Sequence, residues 1–303
     1  MTLGGLGDFV GRLPRRVRMP EGPVPPGRLV ELPGRGTTYL TDVPGPEGAP
    51  TVLLLHAVAC TGMLTWYPAV GPLSERYRVV VFDQRWHGQG IHSGRFSLRD
   101  CADDVAAVID LLDLDPVVVA GYSMGSVIAQ RVWRQHPDKV SGLVLCATTD
   151  RFRSTPSERV FHQGLETAMH GLRGLSRSRS VRAAALGTAR VLDPERADIH
   201  DWALKELRKT SPWAVGQAVA ALGRHHSTPW LGSIDVPTAV LVTARDRVIP
   251  AARQRRLAAR IPAATVHEAP VGHAGCVLEA EAFLPGLLEA VAATVARVRD
   301  RAA

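Results

Sequence analysis

The apolar residues of this chain fall into short, largely β-branched runs separated by longer stretches of helical period. Residues 52–55, 79–82, 117–120, 142–147 and 239–242 are runs dominated by Val, Leu and Ala, and each reads as a strand bounded by turn formers. Thr265-Val266-His267-Glu268 is a shorter sixth. Near-continuous apolar character suits parallel strands covered on both faces. Between them, residues 98–112 place Leu98, Cys101, Val105, Val108, Ile109 and Leu112 on one face of a helix. Ser97 precedes that helix and Asp100 follows three residues later, a capping box with the shorter acid. Two earlier strands, 28–32 and 37–43, are joined by Gly34-Arg35-Gly36 and form an antiparallel edge. Strands linked by helical crossovers predict an α/β domain, with a mostly parallel eight-stranded sheet flanked by helices. Residues 151–229 break the alternation and read as helices without strands. No internal repeat is evident.

Gly121-Tyr122-Ser123-Met124-Gly125 lies between the 117–120 strand and a helical pattern over 126–136. Strand, Gly-x-Ser-x-Gly, then helix is the context of a nucleophile elbow. The chain reverses so sharply at the serine that its neighbours two away on each side must lack bulk. The hydroxyl is thereby pushed clear of the sheet, on a backbone conformation that only a rigid scaffold tolerates.

A serine hydroxyl is a poor nucleophile and needs a base; histidine suits, with an unperturbed pKa of about 6.5. A buried aspartate then fixes the tautomer and stabilises the imidazolium. Both partners follow in the order Ser, acid, His. The 237–243 run leads into Ala244-Arg245-Asp246, placing Asp246 just past a strand end. The strand at 264–268 is followed by Pro270-Val271-Gly272-His273, which puts His273 on a loop beside a glycine. The expected set is Ser123 as nucleophile, His273 as base and Asp246 as acid.

Together these motifs resemble the α/β-hydrolase superfamily, over most of residues 28–148 and 230–300. Two further landmarks carry the resemblance. Leu55-His56-Ala57-Val58 stands where the family has a His-Gly pair after its third strand. Asp83-Gln84-Arg85-Trp86-His87-Gly88 stands in place of its Asp-x-Arg-Gly-His-Gly stretch. Ala57 and Trp86 each replace a glycine. By the family's logic the oxyanion hole is made by the backbone N–H groups of Val58 and Met124. Ala57 tolerates fewer backbone conformations than glycine, which leaves the Val58 donor less well placed by sequence than Met124. Trp86 is expected to pack on the sheet rim, the alternative being that it narrows the pocket mouth. His56, Ala57, Tyr122 and Trp86 are the candidate substrate-pocket residues. Some hydrolases of this fold carry the acid after the strand at 142–147, which makes Asp150 the rival of Asp246. Chain order and the following Val248-Ile249-Pro250 favour Asp246. The resemblance divides the chain into a loosely ordered lead-in (1–27), core pieces (28–150 and 230–303) and an inserted helical cap (151–229).

At 303 residues and 46% hydrophobic the chain can bury a full core, and no apolar run reaches the length of a membrane span. The lead-in carries arginines with no apolar stretch after them, so it fails as a secretory signal. Cys60, Cys101, Cys146 and Cys276 form no C-x-x-C pair and read as reduced thiols, Cys60 and Cys276 as pocket wall at most. A cytoplasmic location follows from that pattern. His225-His226 lacks a second ligand pair and reads as a hinge loop; neither a metal nor a cofactor is expected. Residues 151–229 hold thirteen basic and seven acidic residues, a net of +6 of the chain's +7. A solvated face is the commoner fate of such charge, attraction of an anionic substrate the other. No aromatic-interleaved basic motif accompanies it, which argues against nucleic acid. Oligomeric state is not legible.

The expected activity is hydrolysis of a small-molecule carboxylic ester, thioester or lipid-like substrate through an acyl-enzyme on Ser123. C–C bond hydrolysis and cofactor-free perhydrolysis use the same triad, and a ligand-binding receptor could use the same scaffold. An intact Ser–Asp–His set argues against the receptor. Fold alone does not choose among them.

Overall fold

The computed structural model describes residues 24–175 and 199–302. Residues 1–23, 176–198 and 303 lie outside that range, so the expectations of a loosely ordered lead-in and of a helical cap fall partly outside the described residues. The strands are β1 (Arg28–Leu32), β2 (Gly36–Val43), β3 (Thr51–Leu55), β4 (Arg78–Phe82), β5 (Val117–Tyr122), β6 (Val140–Cys146), β7 (Thr238–Thr243) and β8 (Thr265–Ala269). They form one sheet in the order β1-β2-β4-β3-β5-β6-β7-β8. The β1–β2 and β2–β4 pairs are antiparallel and all others parallel, as β-branched runs with helical crossovers require.

Side chains alternate across the strands into two apolar layers. Leu53, Leu55, Val80, Phe82, Val117, Val119, Leu143 and Leu145 meet α2 (Leu98–Leu111) and α3 (Met124–Gln135) on one face. Val52, Leu54, Val79, Val81, Val118, Ala120 and Val144 meet α1 (Gly62–Ser74) and the long C-terminal helix on the other. At ~25 cal/mol per Å² of apolar surface, these two layers are the main source of stability.

Between β6 and β7 the described residues hold no named strand, only α4 (Pro156–Leu175), α5 (Ile199–Arg208), α6 (Pro212–Gly223) and a 3-10 turn at Leu231–Ser233. The two ends of this segment are tied by an isolated bridge between Arg151 and His226, and by the Ser227 N–H donating to the Asp150 carbonyl at 2.9 Å. His225 is buried beside them. After β7 come α7 (Ala251–Ala258), then β8, α8 (Gly275–Leu278) and α9 (Ala280–Ala302). No described helix is long and apolar enough to cross a membrane.

Candidate active site

The turn from β5 into α3 carries Ser123 at φ 53°, ψ −110°, a strained conformation for a residue with a Cβ. Its neighbours show why glycine is required two residues away on each side. A Cβ on Gly121 would come within 3.0 Å of the Gly125 backbone, and one on Gly125 within 3.0 Å of the Leu55 carbonyl. Ser126 braces the turn from beneath, its hydroxyl lying 2.5 and 2.8 Å from the Gly121 and Cys146 carbonyls, to one of which it donates, and accepting from the Cys146 N–H at 2.9 Å.

The structure brings Ser123, His273 and Asp246 together from three strand ends. Ser123 Oγ lies 3.1 Å from His273 Nε2, and His273 Nδ1 lies 2.7 Å from Asp246 Oδ2. Asp246 Oδ1 accepts the Val248 and Ile249 N–H groups, each at 2.8 Å. Its Oδ2 also accepts the Thr243 hydroxyl at 2.9 Å. Burial pushes the Asp246 carboxyl up, but its hydrogen bond and charge pairing with His273, with the Ile249 and Thr243 donors, hold it below the ordinary carboxylate range. The group therefore stands ready as an anion.

Asp150 is elsewhere. It accepts the Thr228 hydroxyl, accepts the Thr149 hydroxyl at 3.2 Å and faces Arg260 at 3.5 Å, where the chain leaves β6.

Val58 lies on the loop after β3, half-buried, and Met124 opens α3. Neither backbone N–H donates to a protein group among the described residues. The left-handed residue of the Val58 loop is Ala59 (φ 68°), not Ala57, so alanine at 57 costs no such strain. Trp86 does take the glycine-like conformation, at φ 67°. Its indole N–H donates to the Ser93 carbonyl at 3.0 Å and its ring tilts against Phe96 at 6.2 Å, so it packs on the sheet rim.

Two pocket expectations need correction. Tyr122 is 1% exposed and sits in the core with Trp66 and Phe283 edge-on to it. Its hydroxyl donates to the His273 carbonyl at 3.1 Å, supporting the histidine loop from inside. His56 is wholly buried, its Nδ1 against the Ala57 carbonyl at 2.7 Å and its Nε2 accepting the Gln84 N–H at 2.9 Å. Burial and the adjacent His87 push its pKa down to about 3, so it is a neutral brace and presents no surface to a pocket. Ala57 is half-buried. Cys60 is half-buried, and burial pushes its thiol up to about 11, so it carries no thiolate; Cys101, Cys146 and Cys276 are buried, and all four are free.

Sequence reasoning missed Thr243 and Gln254, which surround Asp246. The available signal was a neutral polar residue, Gln254, on the buried stripe it shares with Arg253, Leu257 and Ala258. Among the described residues no three His, Cys, Asp or Glu side chains gather as a metal site would need.

The sequence profile of the alpha/beta hydrolase fold matches residues 50–280. This chain belongs to that family. As a member of the alpha/beta hydrolase family, with esterases and lactonases among its relatives, it is a hydrolase. It is 29% identical to the pimeloyl-[acyl-carrier protein] methyl ester esterase of Chromobacterium violaceum, over 79% of this chain and 93% of that one. It is 23% identical to 3-oxoadipate enol-lactonase 1 of Acinetobacter baylyi, over 71% of this chain and 78% of that protein. Among solved structures, the enol-lactonase of Burkholderia xenovorans superposes with a TM-score of 0.68 at 20% identity, covering 88% of this chain and all (100%) of that one. That likeness is one of fold.

Proposed function

We propose that this alpha/beta hydrolase cleaves a carboxylic ester or thioester through an acyl-enzyme on Ser123. The observation that carries the reading is the continuous hydrogen-bonded line Ser123–His273–Asp246, with distances of 3.1 and 2.7 Å. His273 Nε2 takes the serine proton as Oγ attacks the carbonyl. Asp246 holds Nδ1 protonated and stabilises the imidazolium. The N–H groups of Val58 and Met124 receive the developing oxyanion, a contribution worth ~10²–10³ in rate per donor. His273 then returns the proton to the leaving group, and water repeats the sequence to release the acid.

We read the helices between β6 and β7 as a cap over this site, admitting a small organic ester. Names of relatives, a methyl ester esterase and an enol-lactonase, support ester-like chemistry. The basic charge of the segment supports an anionic substrate only weakly. Arg153 and Arg224 are engaged by Glu166 at 2.6 and 2.9 Å, and Lys209 by Glu206 at 2.5 Å. A neutral, apolar ester fits these pairings better. Four free cysteines suit a reducing compartment, and we assign the protein to the cytoplasm on that ground.

A fluorophosphonate should label Ser123, and Ser123→Ala should lose label and esterase activity together. A series of p-nitrophenyl esters of rising acyl length then reads the pocket. Labelling that persists in Ser123→Ala would remove this reading. Salt that strongly depresses kcat/KM for an anionic ester, but not for its neutral isostere, would reverse the substrate preference.

A further inference from the structure

We propose that Gln254 and Thr243 form a proton-orienting relay that aims the Asp246 carboxylate at His273, which makes both of them positioning residues for the reaction. The inference rests on the reading of Asp246 as the orienting acid.

Gln254 is wholly buried on α7. Its Oε1 accepts the Thr243 backbone N–H at 3.0 Å. That contact decides which end of the amide is which, since an NH₂ group there would confront another N–H. Nε2 must then face the other way, and it donates to the Ile249 carbonyl and to Thr243 Oγ1, both at 2.8 Å. A hydroxyl has a single proton. Because Thr243 Oγ1 accepts from Gln254, its own proton goes to Asp246 Oδ2 at 2.9 Å. That is the oxygen which meets His273 Nδ1.

Topology explains why a glutamine is needed. β6 pairs with β7 only as far as Leu241, opposite Cys146, so Thr243 lies past the end of that ladder. Gln254 supplies the acceptor that a neighbouring strand no longer provides. The same side chain holds the Ile249 carbonyl, whose residue also gives its N–H to Asp246 Oδ1. One amide thus ties the strand end, the acid loop and the carboxylate into a single network, with each polar atom satisfied. Among the described residues, the ionisable groups that bear on Asp246 are His273 and, within the core, Tyr122. Arg245 turns outward to Glu279 and Arg247 is exposed.

Removing the relay proton leaves Oδ2 with one fewer donor. The carboxylate loses its fixed plane and becomes a more basic partner for the imidazolium. The test compares Thr243→Val, Thr243→Ser, Gln254→Met and Asp246→Asn on a p-nitrophenyl ester. Readouts are kcat, KM, the pH profile of kcat/KM and the thermal midpoint. Thr243→Val and Gln254→Met should each lower kcat about 10- to 100-fold, with KM changed less than about threefold. Both should also move the acid limb of kcat/KM upward, by about half a pH unit or more. Thr243→Ser, which keeps the hydroxyl, should recover most of kcat and the original limb. Because Thr243→Val is nearly isosteric, it decides the question even where Gln254→Met fails to fold. A Thr243→Val enzyme with wild-type kcat and an unmoved acid limb, while Asp246→Asn is inactive, overturns the relay and leaves the triad standing. Full activity in Asp246→Asn overturns both, and Ser123 labelling then shows whether the nucleophile survives.

Discussion

His56 and Gln84 hold each other reciprocally: the Gln84 backbone N–H donates to His56 Nε2 at 2.9 Å, and the Gln84 side chain donates to the His56 carbonyl at 2.8 Å. The pair staples the turn after β3, which carries Val58, to the turn after β4, which carries Trp86. The ring can accept at Nε2 only while neutral, with its proton on Nδ1 toward the Ala57 carbonyl. His56→Leu should therefore cost ~2–4 kcal/mol in urea unfolding and lower kcat by about 10- to 100-fold through a loosened Val58 donor. Ser123 should still label, more slowly. Complete inactivity at unchanged stability would make His56 a reacting group instead of a brace.

Stability should fall on mild acidification. Burial pushes His56 and His225 down to about 3 and His87 down to about 4, from 6.5. Each stays neutral in the folded state while the unfolded chain takes up a proton below pH 6.5. Stability from these groups is therefore present above that value and lost as pH falls toward 4, at about 1.4 kcal/mol per pH unit for each. Asp83 works in the opposite sense. Burial raises it to about 6 against the Gln89 and Gly62 N–H donors, so the folded state binds an extra proton between its unfolded value of 3.8 and about 6. It offsets one of the three histidines. The urea midpoint should be flat from pH 8 to 7 and drop steeply from 6 to 4. A midpoint unchanged between pH 7 and 5 would show that these histidines are not buried neutral.

Trp86 should reverse an ordinary ranking. A tryptophan at φ 67° carries backbone strain that glycine lacks, of ~1 kcal/mol. Trp86→Ala loses the Ser93 hydrogen bond and the Phe96 contact but keeps the strain, whereas Trp86→Gly loses the same contacts and relieves it. Glycine should therefore be the milder substitution by about 1 kcal/mol, although both should destabilise. Alanine proving milder in chemical denaturation would remove the strain argument.

Asp150→Asn should keep kcat within about threefold and lower stability by ~1–2 kcal/mol, because it weakens the contacts with Thr228 and Arg260. Asp246→Asn should lower kcat by about 10⁴-fold, as loss of the orienting carboxylate does in such triads. The opposite ranking in steady-state assays would move the acid to the earlier strand.

The sequence by itself determined the strands, the elbow and the chain order of its partners. Each is a local pattern: apolar runs record burial on both faces, and Gly121 and Gly125 record a turn with no room for a Cβ. Helix Gly62–Ser74 carries no such signature, since Pro68 and Pro72 lie inside it. Burial of Met63, Leu64, Trp66, Tyr67, Val70 and Leu73 against the sheet holds it in place despite them. Proximity to the elbow suggested a pocket role for Tyr122, but strand alternation turns its ring into the layer with Phe283. The alanine at 57 drew attention through its missing glycine, yet the left-handed turn falls at Ala59. Gln254 in an arginine-rich helix left almost no trace, because its role depends on which face of α7 meets the end of β7. Tertiary structure alone decided such contacts. The Ser123–His273 and His273–Asp246 hydrogen bonds join residues 150 and 27 positions apart, and contacts at that separation impose no period on the chain between them.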